Sequence, residues 1–187
     1  MVQLKSLTFI ILAAAGIVSA LPSPAAETKG TLAGPAEDLP HGIYTVDLAD
    51  DGSTTWTFIA PINETLKATT VAARDLEGLD KRDGVSCNGF GTPADDVNVA
   101  QGNLANQCGG GYFFSGRSIA AYYGTGVAFG CNYGNGQTCH SDQLWSDFGA
   151  INSQCGFTSG AQAGAGWYSH NSWKATYGRT AAASGFC

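Results

Sequence analysis

The residues of this chain that could do chemistry are its cysteines, its histidines and a scatter of carboxylates. All six cysteines (Cys87, Cys108, Cys131, Cys139, Cys155 and Cys187) follow the dibasic pair Lys81-Arg82. An even number with no C-x-x-C pair reads as three disulfides in an oxidising compartment, which leaves neither a thiolate metal site nor a catalytic thiol. Beyond the dibasic pair two histidines remain. His140 stands two residues before Asp142, a pairing that could do general acid–base work. The same residues also read as the start of a helix, where an acid complements the dipole. His170-Asn171 lies between aromatic runs and reads as a turn. Asp95 and Asp96 are adjacent at a second helix start, and Asp142 and Asp147 fall on different helical faces, so neither pair has the facing arrangement of catalytic carboxylates.

Other sources of chemistry are weaker still. No G-x-S-x-G elbow occurs. Gly109-Gly110-Gly111 follows a helix end and lacks the closing Lys-Ser/Thr of a phosphate loop. His140-x-Asp142 alone supplies too few ligands for a metal. The expectation is a protein that is not an enzyme and that takes no cofactor or metal. A histidine within about 3.2 Å of a carboxylate inside a cleft would instead favour a small secreted hydrolase.

Binding is the remaining resource. Phe157, Trp167, Tyr168, Trp173 and Tyr177 sit among Gly, Ala, Ser and Asn, the surroundings in which rings serve either a core or a recognition surface. Strand alternation assigns Trp173, Ala175 and Tyr177 to one face, read as core, with Lys174 and Thr176 on the other. Trp167 and Tyr168 are candidates for a stacking platform. Arg117, Lys174 and Arg179 are the only cations after Arg82, against five carboxylates. Three scattered cations make no basic stripe, so nucleic acid is not an expected partner. These five residues, Trp167, Tyr168, Lys174, Arg179 and Arg117, are the partner-binding candidates.

The elements that must position them lie in one part of the chain. Residues 1–20 read as a secretory signal: Lys5 is the positive start, 7–18 the apolar run, and Val18-Ser19-Ala20 the small-residue cleavage site. The run is too short to span a bilayer. Residues 21–82 carry ten acidic and five basic residues and no cysteine, and they read as an acidic pro-segment. Within it, 43–46 and 55–59 flank Asp51-Gly52, which predicts a lone hairpin. Asn63-Glu64-Thr65 is a glycosylation sequon that would leave with this segment. Lys81-Arg82 is similar to the processing site of the Golgi dibasic endoprotease that matures fungal secreted proteins. Residues 83–187 then form the mature domain, of a size at which covalent staples matter.

Two helices are expected there. In the first, Thr92 or Asp95 caps, Val97, Ala100, Leu104 and Cys108 recur at helical spacing, and Gly109 ends the run. In the second, Ser141 caps, Leu144, Phe148, Ile151 and Cys155 form the stripe, and Gly156 ends it. Short β-prone runs at 112–114, 118–123, 127–133, 167–168 and 173–177 fill the remainder. The order predicts an α+β fold: a small disulfide-stapled sandwich with an antiparallel sheet and two helices on one face.

Taken in order, several pieces carry a resemblance. Gly84-Val85-Ser86-Cys87 opens, and Gly102-Asn103-Leu104 leads to Gln107-Cys108-Gly109. Then come Ser118-Ile119-Ala120-Ala121-Tyr122, Ala128-Phe129-Gly130-Cys131, a helix ending at Cys155-Gly156, and Lys174-Ala175-Thr176-Tyr177 before Cys187. This series resembles the fungal killer-toxin family typified by killer protein 4 and the related necrosis-inducing effectors. The resemblance implies a helix-on-sheet domain without a catalytic site, acting on competing microbial or host cells through a surface protein or a cation channel. The chain departs from that family in having fewer cysteines and fewer lysines. By family position Cys87 would pair with Cys155, Cys108 with Cys187 and Cys131 with Cys139. The alternatives from the residues themselves are a module that binds wall polysaccharide and the hydrolase. In every version the protein is secreted and extracellular.

Overall fold

A computed structural model describes residues 31–67 and 83–187. The signal segment and the processing pair Lys81-Arg82 lie outside the described residues. In chain order the elements are β1 (Gly42–Leu48), β2 (Thr54–Pro61), β3 (Gly84–Pro93), α1 (Ala94–Cys108), β4 (Tyr112–Phe114), β5 (Ser118–Tyr123), β6 (Gly126–Asn132), β7 (Gln137–Cys139), α2 (Ser141–Cys155), β8 (Gln162–His170) and β9 (Ala175–Ala181). Seven strands make one antiparallel sheet in the order β2-β1-β5-β6-β9-β8-β3, and β4 pairs with β7 in a small second sheet. Both helices lie on one face, as expected for the α+β sandwich.

Strand alternation sorts the core into two layers. Ile119, Ala121, Ala128, Tyr168, Ala175 and Tyr177 meet Leu104, Leu144, Phe148 and Ile151 under the helices. Tyr44, Val46, Ala120, Val127, Phe129 and Cys131 form the opposite layer, closed by Leu32 and Phe186. Gly166 lets α2 press against β8, since a Cβ there would lie 2.5 Å from Cys155 Sγ.

Both helices end at the expected glycines, Gly109 and Gly156, but they begin differently. Pro93 and His140 are the N-cap residues, and neither helix has a side-chain cap. Thr92 and Asp96 bind the β5–β6 turn instead. Thr92 Oγ1 lies 3.1 Å from the Thr125 carbonyl oxygen, and Asp96 Oδ2 accepts from the Thr125 N–H at 2.8 Å. Tertiary partners have replaced the local caps. Trp173 and Lys174 fall in the turn before β9, with Lys174 at φ 56°, so Trp173 does not share the buried face of Ala175 and Tyr177.

The hairpin around Asp51-Gly52 is present, but it does not stand alone. β1 pairs with β5 from Gly42↔Tyr122 to Val46↔Ser118, and Ile43, Tyr44 and Val46 are all buried. Leu32 exchanges main-chain hydrogen bonds with Phe186 at 2.9 and 3.0 Å. Asn103 on α1 accepts from the Asn63 N–H at 2.7 Å and donates to its carbonyl at 2.9 Å. Residues 31–67 therefore build the same sheet as the cysteine-bearing region.

All six cysteines are paired in three disulfides: Cys87–Cys155, Cys108–Cys139 and Cys131–Cys187. The first agrees with the family-based pairing and the other two correct it. Cys108 and Cys139 lie in the layer under the helices, whereas Cys131 points to the opposite face, where the last residues of the chain pass. The sheet itself separates the partners that the resemblance would have joined.

Candidate functional site

The structure concentrates its polar chemistry in two places, one on each face of the sheet. On the helix face, β8 ends at His170, which is 3% exposed. Its Nε2 lies 2.8 Å from Oδ2 of Asp147 on α2, itself 2% exposed. Gln143, one turn earlier, donates to the other Asp147 oxygen at 2.9 Å. Asp83 approaches from the far side, its Oδ2 4.0 Å from His170 Nδ1, and its Oδ1 accepts from the Asn171 N–H at 2.8 Å. Trp173 stacks on the imidazole with ring centroids 4.3 Å apart and an interplanar angle of 9°. Burial raises the Asp147 carboxyl above its ordinary value, against the lowering influence of the His170 hydrogen bond. Burial and the Asp147 charge push the Tyr177 hydroxyl upward as well.

The distance expected of a hydrolase pair is met here, but both side chains are buried. The cluster ties α2 to β8 and docks Asp83, the first residue after the dibasic pair, against the turn at Asn171. Asp147 showed no sequence signal as a partner of His170, because the two are 23 residues apart. The pair favoured by proximity in sequence has separate partners. His140 Nδ1 lies 3.1 Å from the Gly110 carbonyl oxygen, and Asp142 accepts from the Gln143 N–H at 2.9 Å.

The second place is a cavity of about 290 Å³ on the helix-free face. β9 sends Thr176 and Thr180 to that face, β6 sends Phe129, and β8 sends Trp167. Thr31, Asn88, Tyr133 and Gly185-Phe186-Cys187 complete the wall. Tyr168 is not part of it. As the next residue along β8 it points the other way and is buried under the helices. The two rings cannot form one platform, and Trp167 alone, half-buried, faces the cavity.

The three cations have separate fates. Arg179 is fully buried. Its Nε donates to the Gly164 carbonyl at 2.8 Å, Nη2 to the Gly156 carbonyl at 3.0 Å, and Nη1 to the Asn152 side chain. It thus serves the C-terminal end of α2, where a cation is favoured. Burial lowers its pKa to about 10, which leaves it charged at neutral pH. Arg117 lies over the Tyr133 ring at 5.1 Å and donates to the Cys187 main-chain oxygen at 3.0 Å. Lys174 is exposed at the turn before β9.

Among the described residues no cluster of three or more His, Cys, Asp or Glu could hold a metal ion, and no helix is long and apolar enough to cross a membrane. No family model, curated protein or solved structure matches this chain.

Proposed function

We propose that this is a secreted killer-toxin-like or effector-like protein that acts outside the producing cell, on competing microbes or on host cells, by binding a surface component. The observation that carries the reading is the covalent frame. Three disulfides staple a small helix-on-sheet sandwich, the construction used where a domain must persist in an oxidising medium. Two further observations favour binding over catalysis. The His170–Asp147 pair is sealed from solvent, and a partly open cavity on the helix-free face is lined by aromatic and hydroxyl-bearing residues suited to recognition.

Basic-patch blockade of a cation channel is the less supported form of this action. Among the described Lys and Arg residues, Arg179 is buried and Arg117 is engaged at Cys187, which leaves Lys67 and Lys174 exposed. Processing at Lys81-Arg82 would also act differently from simple release. The pairing of β1 with β5 favours a cut protein in which 31–67 stays seated on the sheet.

The test applies protein purified from culture medium to fungal and plant cells and reads growth and dye entry. Loss of viability in one target class is the expected result. Protein with all three disulfides intact that leaves every cell type unaffected would overturn the reading. A second reading, a protein that binds wall polysaccharide, is favoured by Trp167 at the cavity.

A further inference from the structure

We infer that Asn63 carries an N-linked oligosaccharide and that the finished protein keeps it after a cut at Lys81-Arg82. The inference rests on the secreted reading, because only a chain that enters the secretory route meets the glycosyl donor.

The residue types set the chemistry. Asn63-Glu64-Thr65 is the single N-x-S/T sequence in the chain, and its middle position is not proline. In the transfer, Asn63 Nδ2 forms a bond to the anomeric carbon of a lipid-diphosphate-linked oligosaccharide. The bond from that carbon to the diphosphate oxygen breaks, the lipid diphosphate leaves with the electron pair, and Nδ2 gives up one proton.

The folded position accepts the product. Asn63 follows the end of β2 at Pro61 and is exposed, as are Glu64 and Thr65. Its Oδ1 accepts from the Thr65 N–H at 3.0 Å and from the Thr65 hydroxyl at 2.7 Å, so the sequon builds its own turn. Both contacts use Oδ1, which a glycan leaves unchanged, and neither uses Nδ2. The turn therefore survives modification, and a bulky group at this exposed side chain projects into solvent.

Retention follows from what holds the main chain of that turn. Asn103 on α1 is 2% exposed, and its side-chain amide grips both main-chain groups of Asn63, at 2.7 Å to the N–H and 2.9 Å to the carbonyl. The same Nδ2 donates to the Val99 carbonyl at 2.8 Å, one helical turn earlier, which fixes the Asn103 side chain in place. Beside it, a Cβ at Gly102 would overlap the Leu66 carbonyl oxygen, so the absent side chain lets the segment lie against the helix backbone. Ile62 packs against the layer under the helices. These contacts are separate from the β1–β5 ladder and give the modified residue its own seat on the cysteine-bearing region. Position before the dibasic pair assigns the sequon to a departing segment, whereas the seat on α1 assigns it to the body of the protein.

The experiment expresses the full chain in a secreting eukaryotic host and purifies it natively from medium and from cells. Intact mass and peptide maps are compared before and after treatment with peptide N-glycosidase. The expected result is a loss of mass on treatment, with Asn63 deamidated by the enzyme. Thr65→Ser keeps the sequon and should keep the glycan, while Thr65→Ala and Asn63→Gln should lose it. After a cut at Arg82, the glycan-bearing fragment should elute with 83–187 on a native sizing column. Asn103→Ala should lower the urea concentration at which the two part. Protein in the medium with Asn63 unmodified overturns the inference and leaves the secreted reading standing. Protein held in the cell with Asn63 unmodified overturns both. A glycan-bearing fragment that runs apart from 83–187 without denaturant, or a cut Asn103→Ala protein that parts at the same urea concentration as the parent, overturns the seat on α1.

Discussion

His170 Nε2 and Asp147 Oδ2 lie 2.8 Å apart with both side chains closed off from solvent, one on β8 and the other on α2. Removing one member of such a pair strands the other in a poor solvent, which typically costs about 3–5 kcal/mol. His170→Ala should therefore lower the unfolding free energy in urea by that order. The double variant His170→Ala/Asp147→Asn should lose less than the sum of the singles, since each single already removes the shared interaction. Strict additivity would show that the two residues do not act as a pair.

The same carboxyl makes a pH prediction. Asp147 is held above its ordinary value by burial, so the folded chain binds its proton more tightly than the unfolded chain does. Its contribution to stability is fully present below the ordinary carboxylate value and is lost as pH rises through the raised folded value. The groups facing it are His170, Gln143, Asp83, Tyr168 and Tyr177. Urea midpoints measured across the acid range should show a downward component with rising pH that Asp147→Asn removes. A variant whose pH profile superimposes on the parent would refute the assignment.

Residues 31–67 contain no cysteine, so once the main chain is cut after Arg82 only noncovalent contacts join them to the rest of the fold. Those contacts include the β1–β5 ladder and the burial of Leu32, Ile43, Tyr44 and Val46. Each such side chain stabilises by roughly 1.5–3 kcal/mol. Cutting after Arg82 in vitro should give two fragments that elute together on a native sizing column and separate in denaturant. Clean separation without denaturant would mean that the ladder is too weak to outlast the covalent link.

The Cys131–Cys187 bridge closes a separation of 56 residues. The chain-entropy relation assigns a loop of that length about 4 kcal/mol. Cys131→Ser/Cys187→Ser should fall in stability by that order and should lose the rigid 185–187 wall before the helix layer loosens. Amide exchange would show early opening at Phe186 and Thr180. Peptide mapping of the parent should recover Cys87–Cys155, Cys108–Cys139 and Cys131–Cys187.

Several features were legible in the residues alone because they depend on neighbours in sequence. Stripes at Leu104 and Leu144 with glycines at 109 and 156 marked both helices and their ends. Asp51-Gly52 marked a hairpin, and the even cysteine count marked three bridges. Alternation carried further information that is clear once the strands are known. It separates Trp167 from Tyr168, and it sets Arg179 on the buried face with Tyr177, which rules out a surface role for that cation.

What the tertiary structure decided concerns partners distant in sequence. Asp147 finds His170 only because α2 lies across the end of β8. Cys131 finds Cys187, and not Cys139, because a sheet stands between the alternatives. The hairpin joins β5 because Ile43, Tyr44 and Val46 are apolar toward both faces, as an interior strand requires, whereas an isolated hairpin would leave one face wet. The contrast in charge and cysteine content across Lys81-Arg82 is a property of composition, and composition does not record which strand edges meet. Local pattern sets an element's type and ends. Which faces close on one another follows from burying both sides of the sheet at once, and that requirement formed the sealed His170 cluster on one side and the Trp167 cavity on the other.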